Sequence, residues 1–308
     1  MSSWAKLLTQ LFFMSGALAA SLFSDFNMPN GISNPSYSYS AGGKAYCMTG
    51  NIKVSASGSN LKILVPAPVD QYQTTQILFD MQQVGGNYIA TATGVPTTVA
   101  GDFNIYSKLC FPNNSTAVAN LKTIQFLTHG STLDNTYWDT APGYSYVDAA
   151  ADAGYATFSY DRLGTGLSDH PDPLQVVQMP LQVEIAHQLI QLLRAATITN
   201  QNFKHIIGGG HSAGSILTLG VTAKYPADFD AIILTGFSAS FDGLNIVLAG
   251  FAVEHARFDP SGRFNSLADG YFSQGAVIQA VQLPFWWYPG FDTKSMYRFH
   301  ICLPHYPY

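Results

Sequence analysis

From residue 121 onward, short apolar runs of strand length alternate with segments whose apolar residues recur at helical spacing. The strand candidates are LKTIQFLTHG, YATFSYD, KHIIGGG and FDAIILTGF, and the helix candidates are YSYVDAAADAG, LQVEIAHQLIQLLRAAT and SILTLGVTAKYP. Alternation of this kind is typical of βαβ units, which build a parallel sheet covered by helices. The chain is therefore predicted to fold around an α/β core.

The segments on either side of this core have a different character. Between Cys47 and Pro112, short β-type stretches are separated by turn residues, which predicts a β-rich, antiparallel entry into the sheet. Residues 20–45 are rich in Gly, Ser, Asn and Pro and are interpreted as an extended arm rather than a core element. Beyond Phe237 the pattern loosens into aromatic-rich cap material. The predicted division is a leader at 1–19, the arm at 20–45, the core at 46–240, and a partial helical cap with a divergent tail at 241–308.

The first twenty residues have the pattern of a secretory signal. Lys6 precedes an apolar stretch, and Ala17-Leu18-Ala19 supplies the small-x-small pattern that signal peptidase cleaves. An N-terminal membrane anchor is the alternative, although the apolar run is short for a span of ~20 residues. We expect a secreted, extracellular protein without a stable membrane anchor after cleavage.

Secretion determines how the three cysteines are interpreted, because an oxidising compartment favours disulfides. Cys47 and Cys110 both lie in strand-like stretches and are predicted to pair, which leaves Cys302 unmatched; two unpaired buried thiols are the alternative. Asn113 and Asn114 begin two overlapping N-glycosylation sequons, which would place this loop of a glycoprotein at the surface.

Composition narrows the range of partners. Only 11% of residues are charged, the formal net charge is -5, and there is no run rich in Lys or Arg. This pattern argues against nucleic acid or an anionic membrane surface as the main partner and favours small neutral ligands. The eight histidines include no HExxH pair and no ligand-like cluster, so we expect neither a metal site nor a cofactor.

The segment GGGHSAGS places a serine between glycines at the junction of a strand and a helix. Residues 210–214 match G-x-S-x-G between KHIIGG and SILTLGVTAKYP. A sharp turn here would strain the backbone of Ser212, while Gly210 and Gly214 avoid side-chain clashes. Ser212 is therefore predicted to be a nucleophile at the carboxyl edge of the sheet. The alternative is a Gly-rich strand end with an inert serine.

Acyl transfer also needs backbone N–H groups aimed at the developing oxyanion. The candidates are the N–H of Ala213, directly after Ser212, and the N–H of Ser131, in the loop that follows LKTIQFLTHG. His129, beside Gly130 in that loop, is interpreted as an orienting residue rather than a general base. A third segment, DRLGTGLSD at 161–169, lacks the phosphate-binding patterns and is interpreted as a structural turn.

These three segments together resemble the α/β-hydrolase family over roughly residues 100–240. The segments are THG at 128–130, DRLGTGLS at 161–168 and GHSAG, with His211 inside the last. The resemblance is in particular to secreted fungal members with a β-rich N-terminal extension. It implies a mostly parallel, eight-stranded sheet with a cap inserted after the sixth strand, and a substrate that is a neutral or apolar ester or related acyl compound.

The resemblance also implies a catalytic acid and then a histidine after the serine, and neither is recognisable here. The acid candidates are Asp242 and Asp292, and the histidine candidates are His255, His300 and His305, but none stands in a strand-end context. We therefore expect a chain that lacks the last strands and is inactive or impaired as written. A non-catalytic hydrolase-like binding protein and a truncated gene-model fragment are the alternatives.

Overall fold

The computed structural model describes residues 31–113, 121–199, 201–240, 243–294 and residue 296. The strands are β1 Ser33–Tyr39, β2 Ala45–Ile63, β3 Thr93–Pro112, β4 Thr123–Thr128, β5 Asp139–Ala141, β6 Tyr144–Ser145, β7 Ala156–Tyr160, β8 His205–His211, β9 Ala231–Thr235, β10 Glu254–His255 and β11 Phe272–Ser273. The α-helices are α1 Gln71–Gln82, α2 Tyr88–Ala92, α3 Tyr146–Asp152, α4 Met179–Arg194, α5 Ala213–Lys224, α6 Leu244–Gly250 and α7 Ile278–Phe285.

The central sheet contains seven strands in the order β1-β2-β3-β7-β4-β8-β9. Strands β7, β4, β8 and β9 are parallel neighbours, whereas β1, β2 and β3 join the sheet through antiparallel pairs. This arrangement confirms the predicted α/β sheet with an antiparallel, β-rich entry. The crossover from β4 through α3 to β7, and back past β4 to β8, places the end of β8 beside the end of β4.

Helices α4 and α5 cover one face of the sheet, and their apolar sides pack against the strand residues of the core. In α4 the residues Leu181, Ile185, Leu189 and Leu193 recur at helical spacing and are almost completely buried. A side chain on Gly58 of β2 would lie 2.7 Å from the Cα atom of Leu181, so this glycine permits the close approach of α4. The helical pattern in the sequence therefore corresponds to a real packing face.

Strands β2 and β3 form a long hairpin that carries the predicted disulfide. Cys47 lies opposite Cys110 in the strand register, and their sulfur atoms are bonded. Both residues are buried, in a small cluster with Trp138 and Val147. The predicted pairing is confirmed, while Cys302 lies outside the described residues.

Two expectations for the N-terminal part need correction. The described part of the segment interpreted as an arm contains β1, which pairs with β2 as an edge strand of the sheet, and Ile32 is buried in the core. The region between β2 and β3 contains α1 and α2, which the β-type interpretation missed. Asp70 begins α1 by accepting a hydrogen bond from the N–H of Gln73 at 2.8 Å, as N-cap residues do.

The region predicted as the cap follows β9. Its described elements are α6, α7 and the small antiparallel pair β10–β11. In the described part of the chain, β9 is the edge strand of the sheet, next to β8. Its Ile233 side chain is 42% exposed. No described helix is both long enough and apolar enough to cross a bilayer.

Candidate active site

The carboxyl ends of the parallel strands converge at one edge of the sheet. Strand β4 ends before His129, β7 before Asp161, β8 before Ser212, and β9 before Gly236. The register pairs Thr128 with both Tyr160 and Gly210. In open α/β sheets this edge is where ligands bind, so the predicted functional segments all meet at the expected place.

Ser212 occupies a strained turn between β8 and α5. Its φ of 53° and ψ of -119° lie outside the regions that residues with a side chain normally adopt. The backbone there is held by the Ser212 N–H, which donates to the Thr235 carbonyl at 2.9 Å, while the Ser212 carbonyl accepts from the Ser215 N–H at 2.9 Å. Strain that the surrounding structure maintains in this way is typical of functional positions.

The glycines on either side of Ser212 lie at close backbone contacts. A Cβ atom on Gly210 would be 2.6 Å from the Gly214 carbonyl oxygen, and one on Gly214 would be 2.1 Å from the Thr128 carbonyl oxygen. These distances leave no room for a methyl group. The two glycines of GHSAG are thus required because α5 starts immediately against the end of a neighbouring strand.

The two candidate oxyanion donors belong to segments that lie against the serine. Ala213 is the first residue of α5, where an N–H group has no intrahelical acceptor. Gly130 approaches Ser212 so closely that a Cβ atom on Gly130 would be 3.1 Å from the Ser212 Cβ, and this brings the exposed Ser131 next to the site. Thr132 follows with φ of 62°, a strained value for a β-branched residue.

His129 is completely buried and is held by hydrogen bonds to the loops after β4 and after β7. Its Nε2 accepts from the Arg162 backbone N–H at 3.0 Å, and its Nδ1 lies 2.8 Å from the Gly130 carbonyl oxygen. The first bond requires an unprotonated Nε2, so the ring is the neutral tautomer that donates from Nδ1. Burial, followed by the charge of Arg162, holds the pKa of His129 well below its usual value. These contacts tie the His129 ring to the loop after β4 and to the residues that follow β7.

His211 precedes the serine and faces β9. Its Nδ1 lies 3.0 Å from the Thr235 hydroxyl, and its ring stacks on Tyr137 with centroids 4.6 Å apart. Burial lowers the pKa of His211. Its contacts fix the end of β8 and do not join its ring to the Ser212 hydroxyl.

The structure describes two of the acid and histidine candidates, His255 and Asp292, and neither hydrogen-bonds to the serine. Within the described residues, the Ser212 hydroxyl makes no hydrogen bond. His255 is buried in the cap, where its Nε2 lies 3.0 Å from the Pro68 carbonyl oxygen and 3.2 Å from Asp269, and Asp292 is exposed. Asp242, His300 and His305 lie outside the described residues.

A cavity of about 350 Å³ lies between the core and the cap, next to the loop that carries Ser131. Thr132 and Leu133 line it from the core, and the cap contributes residues between 256 and 276. A larger cavity of about 570 Å³ lies between α1 and the cap and includes none of the site residues, so size does not identify the site. The aromatic run FWWY at 285–288 lines neither cavity, and its Trp287 is 85% exposed.

Asp134 and Asp161 form a buried pair of carboxyl groups near the site, which was not predicted from the sequence. Asp161 accepts hydrogen bonds from the Asn135 N–H and the Leu167 N–H, both at 2.8 Å, so it joins the loops after β4 and β7. Burial, and then the neighbouring Asp134 charge, raises the pKa of Asp161 to about 7. Burial also raises the pKa of Asp134. The only signal in the sequence is the D-R-x-G-x-G pattern itself.

The raised pKa of Asp161 predicts a pH-dependent stability. The pKa of Asp161 in the folded protein lies above its unfolded value of about 3.9. The protonated carboxyl group therefore stabilises the fold fully below that unfolded value, and this contribution is lost as pH rises through 7. We expect wild type to lose about 2–3 kcal/mol between pH 5 and pH 8 relative to Asp161→Asn, which cannot ionise. Urea unfolding of both proteins across this range measures the difference. Parallel pH profiles would show that Asp161 does not titrate in this window.

The chain is similar to known proteins in sequence and in fold. Residues 126–305 match the sequence model of the alpha/beta hydrolase family, and no curated protein matches the chain. Similar solved structures include an alpha/beta hydrolase from Novosphingobium aromaticivorans, with 18% identity, TM-score 0.39, and coverage of 64% of this chain and 58% of that one. An esterase from Thermogutta terrifontis has 20% identity, TM-score 0.34, and coverage of 48% and 47%. The epoxide hydrolase VrEH1 from Vigna radiata has 16% identity, TM-score 0.32, and coverage of 42% and 34%, so this chain spans about a third of its length.

No group of three or more His, Cys, Asp or Glu residues that could hold a metal ion occurs in the described ranges.

Proposed function

The chain belongs to the alpha/beta hydrolase family, and from this premise we propose that it is a secreted hydrolase in which Ser212 attacks a neutral or apolar ester or related acyl substrate. The strained backbone of Ser212, between the end of β8 and the start of α5, is the observation that carries this proposal. It presents the hydroxyl at the ligand-binding edge of the sheet, beside the loop that contains Gly130 and Ser131.

The proposed reaction proceeds in two steps. The Ser212 Oγ bonds to the carbonyl carbon, the bond to the leaving alcohol breaks, and the hydroxyl proton passes through a general base to that alcohol. Water then attacks the acyl-enzyme, which releases the acid and restores the Ser212 hydroxyl. The N–H groups of Ala213 and Ser131 donate to the oxyanion that forms in each step.

The nature of the nucleophile and of its surroundings supports this substrate class. A serine at the strained turn between β8 and α5 favours acyl transfer over chemistry that uses an aspartate nucleophile at this position. The low charge content supports a small neutral substrate and argues against nucleic acid as a partner. The Cys47–Cys110 disulfide supports the proposed export, since disulfides persist in oxidising compartments. The exposed Asn113, which begins a glycosylation sequon, also supports it.

One observation favours a second candidate function. Within the described residues, no histidine contacts the Ser212 hydroxyl, and His255 is engaged with Pro68 instead. A serine without a base is a weak nucleophile. The second candidate is therefore a non-catalytic hydrolase-like protein that binds a small neutral ligand in the cavity beside Thr132.

A fluorophosphonate probe separates the two candidates. In this reaction the Ser212 Oγ bonds to phosphorus, the P–F bond breaks, fluoride leaves and the hydroxyl proton passes to a base. We expect the probe to label wild type, peptide mapping to place the label on Ser212, and Ser212→Ala to remove it.

Ser215 provides a matched control three residues away. Its hydroxyl is fully buried and donates to the Thr235 carbonyl at 2.9 Å, so Ser215→Ala should leave the label in place. Wild-type protein that is folded but labels no faster than Ser212→Ala would favour the non-catalytic candidate.

A further inference from the structure

We infer that Arg162 is a positioning residue that strengthens the oxyanion hole through the peptide group joining Gly130 to Ser131. This inference rests on the proposed function, because it concerns the same reaction at Ser212. Arg162 follows β7 and lies in the DRLGTGLSD segment, for which the sequence predicted only a structural turn.

The Gly130 carbonyl oxygen is held from two directions. The Arg162 Nη2 donates to it at 3.1 Å, and the His129 Nδ1 donates to it at 2.8 Å. In a trans peptide the carbonyl and the N–H point in opposite directions. Anchoring the Gly130 carbonyl toward Arg162 therefore fixes the direction of the Ser131 N–H, which points away from the guanidinium.

The charge of Arg162 also polarises this peptide group. A cation that binds the carbonyl oxygen draws electron density toward it, and hydrogen bonds in a chain strengthen one another at low local dielectric. The Ser131 N–H is thereby a stronger donor than an ordinary loop amide. The effect is greatest when negative charge develops on the substrate oxygen, so it stabilises the transition state more than the bound substrate.

Arg162 has no counter-ion among the described residues. Its side-chain acceptors are the Gly130 carbonyl and the Gln182 Oε1, which the Nη1 contacts at 3.0 Å, and both are neutral. Arg162 is only 7% exposed, and burial lowers the pKa of its guanidinium. A buried, uncompensated cation is costly to a fold. An arginine serving only to connect two loops would be more stable beside a carboxylate.

Gln182→Glu separates electrostatic positioning from a purely structural contact. The substitution keeps an oxygen acceptor for Arg162 but supplies the missing negative charge, so a buried ion pair replaces the uncompensated cation. The charge of Arg162 favours the ionised form of the new carboxyl group. We expect the melting temperature to stay unchanged or to rise, while the fluorophosphonate labelling rate of Ser212 falls roughly tenfold. This loss is smaller than the roughly 10²–10³-fold loss for removal of a direct oxyanion donor.

Two further variants complete the experiment. Gln188→Glu adds the same charge to α4 six residues further along, so it should label at the wild-type rate. Arg162→Met removes the cation and should slow labelling at least as much as Gln182→Glu, when rates are normalised to folded protein by circular dichroism. The Arg162→Met variant tests the inference even if Gln182→Glu fails to fold.

The outcomes distinguish this inference from the proposed function. If wild type labels at Ser212 and both Gln182→Glu and Arg162→Met label at the wild-type rate per folded molecule, the role of Arg162 is overturned and the proposed function stands. If folded wild type does not label at all, both are overturned.

Discussion

Replacing Gly214 by alanine is expected to destabilise the protein by more than about 4 kcal/mol. The added Cβ would lie 2.1 Å from the Thr128 carbonyl oxygen and 2.6 Å from the His129 carbonyl oxygen. Both contacts are with backbone, which cannot rotate away as a side chain can. Helix α5 would have to move away from the end of β4, and Ser212 would move with it. Urea unfolding followed by circular dichroism measures the loss.

Gly243→Ala is the matched control for this prediction. Gly243 precedes α6 with φ of -89°, and a Cβ atom there would meet no atom within 4 Å. Its substitution should change stability by less than about 1 kcal/mol. A Gly214→Ala protein as stable as Gly243→Ala would mean that α5 is not held as close to β4 as these distances require.

The sequence predicted the fold where local patterns repeat. The alternation of apolar runs with helical spacing located β4, α3, β7, α4, β8, α5 and β9 in the correct order, because each element buries one face whose periodicity is visible in the chain. The strand–turn–helix context of GHSAG was likewise sufficient to predict a strained turn, because only glycine fits beside a helix that starts so abruptly.

The same patterns missed elements whose residues carry no clear periodicity. Helix α1 has the sequence QYQTTQILFDMQ, which buries only Thr74, so no apolar stripe marked it. The one available signal was Asp70 at its start, which caps the helix. Strand β1 was interpreted as part of an arm because SNPSYSY is polar, yet an edge strand needs only a partner for its backbone, and β2 supplies it.

Contacts between distant segments were beyond sequence reasoning. His129 and Arg162 lie 33 positions apart, and their hydrogen bond depends on β4 and β7 being parallel neighbours. The Asp134–Asp161 pair has the same origin, since the two loops meet only after the sheet forms. Residue types and spacing along one loop could not indicate which buried groups would face each other.

Removing the disulfide is the second substitution with a large expected effect. Cys47 and Cys110 are separated by 63 positions, and a crosslink over a loop of this length contributes about 4 kcal/mol in the chain-entropy model. The bond also lies in a buried cluster with Trp138 and Val147, next to the pairing of β3 with β7. We expect Cys47→Ala/Cys110→Ala to lose about 4 kcal/mol of unfolding free energy, measured by urea unfolding at neutral pH.

Wild type unfolded in the presence of dithiothreitol separates the crosslink from the packing of the two sulfur atoms. Reduction removes the bond but keeps both side chains, so reduced wild type should lose nearly as much stability as the double alanine variant if the crosslink dominates. A much smaller loss on reduction would assign the effect to packing around Trp138. Because exported proteins form such bonds in an oxidising compartment, recovery of Cys47 and Cys110 as free thiols from secreted protein would contradict both the disulfide and the proposed export.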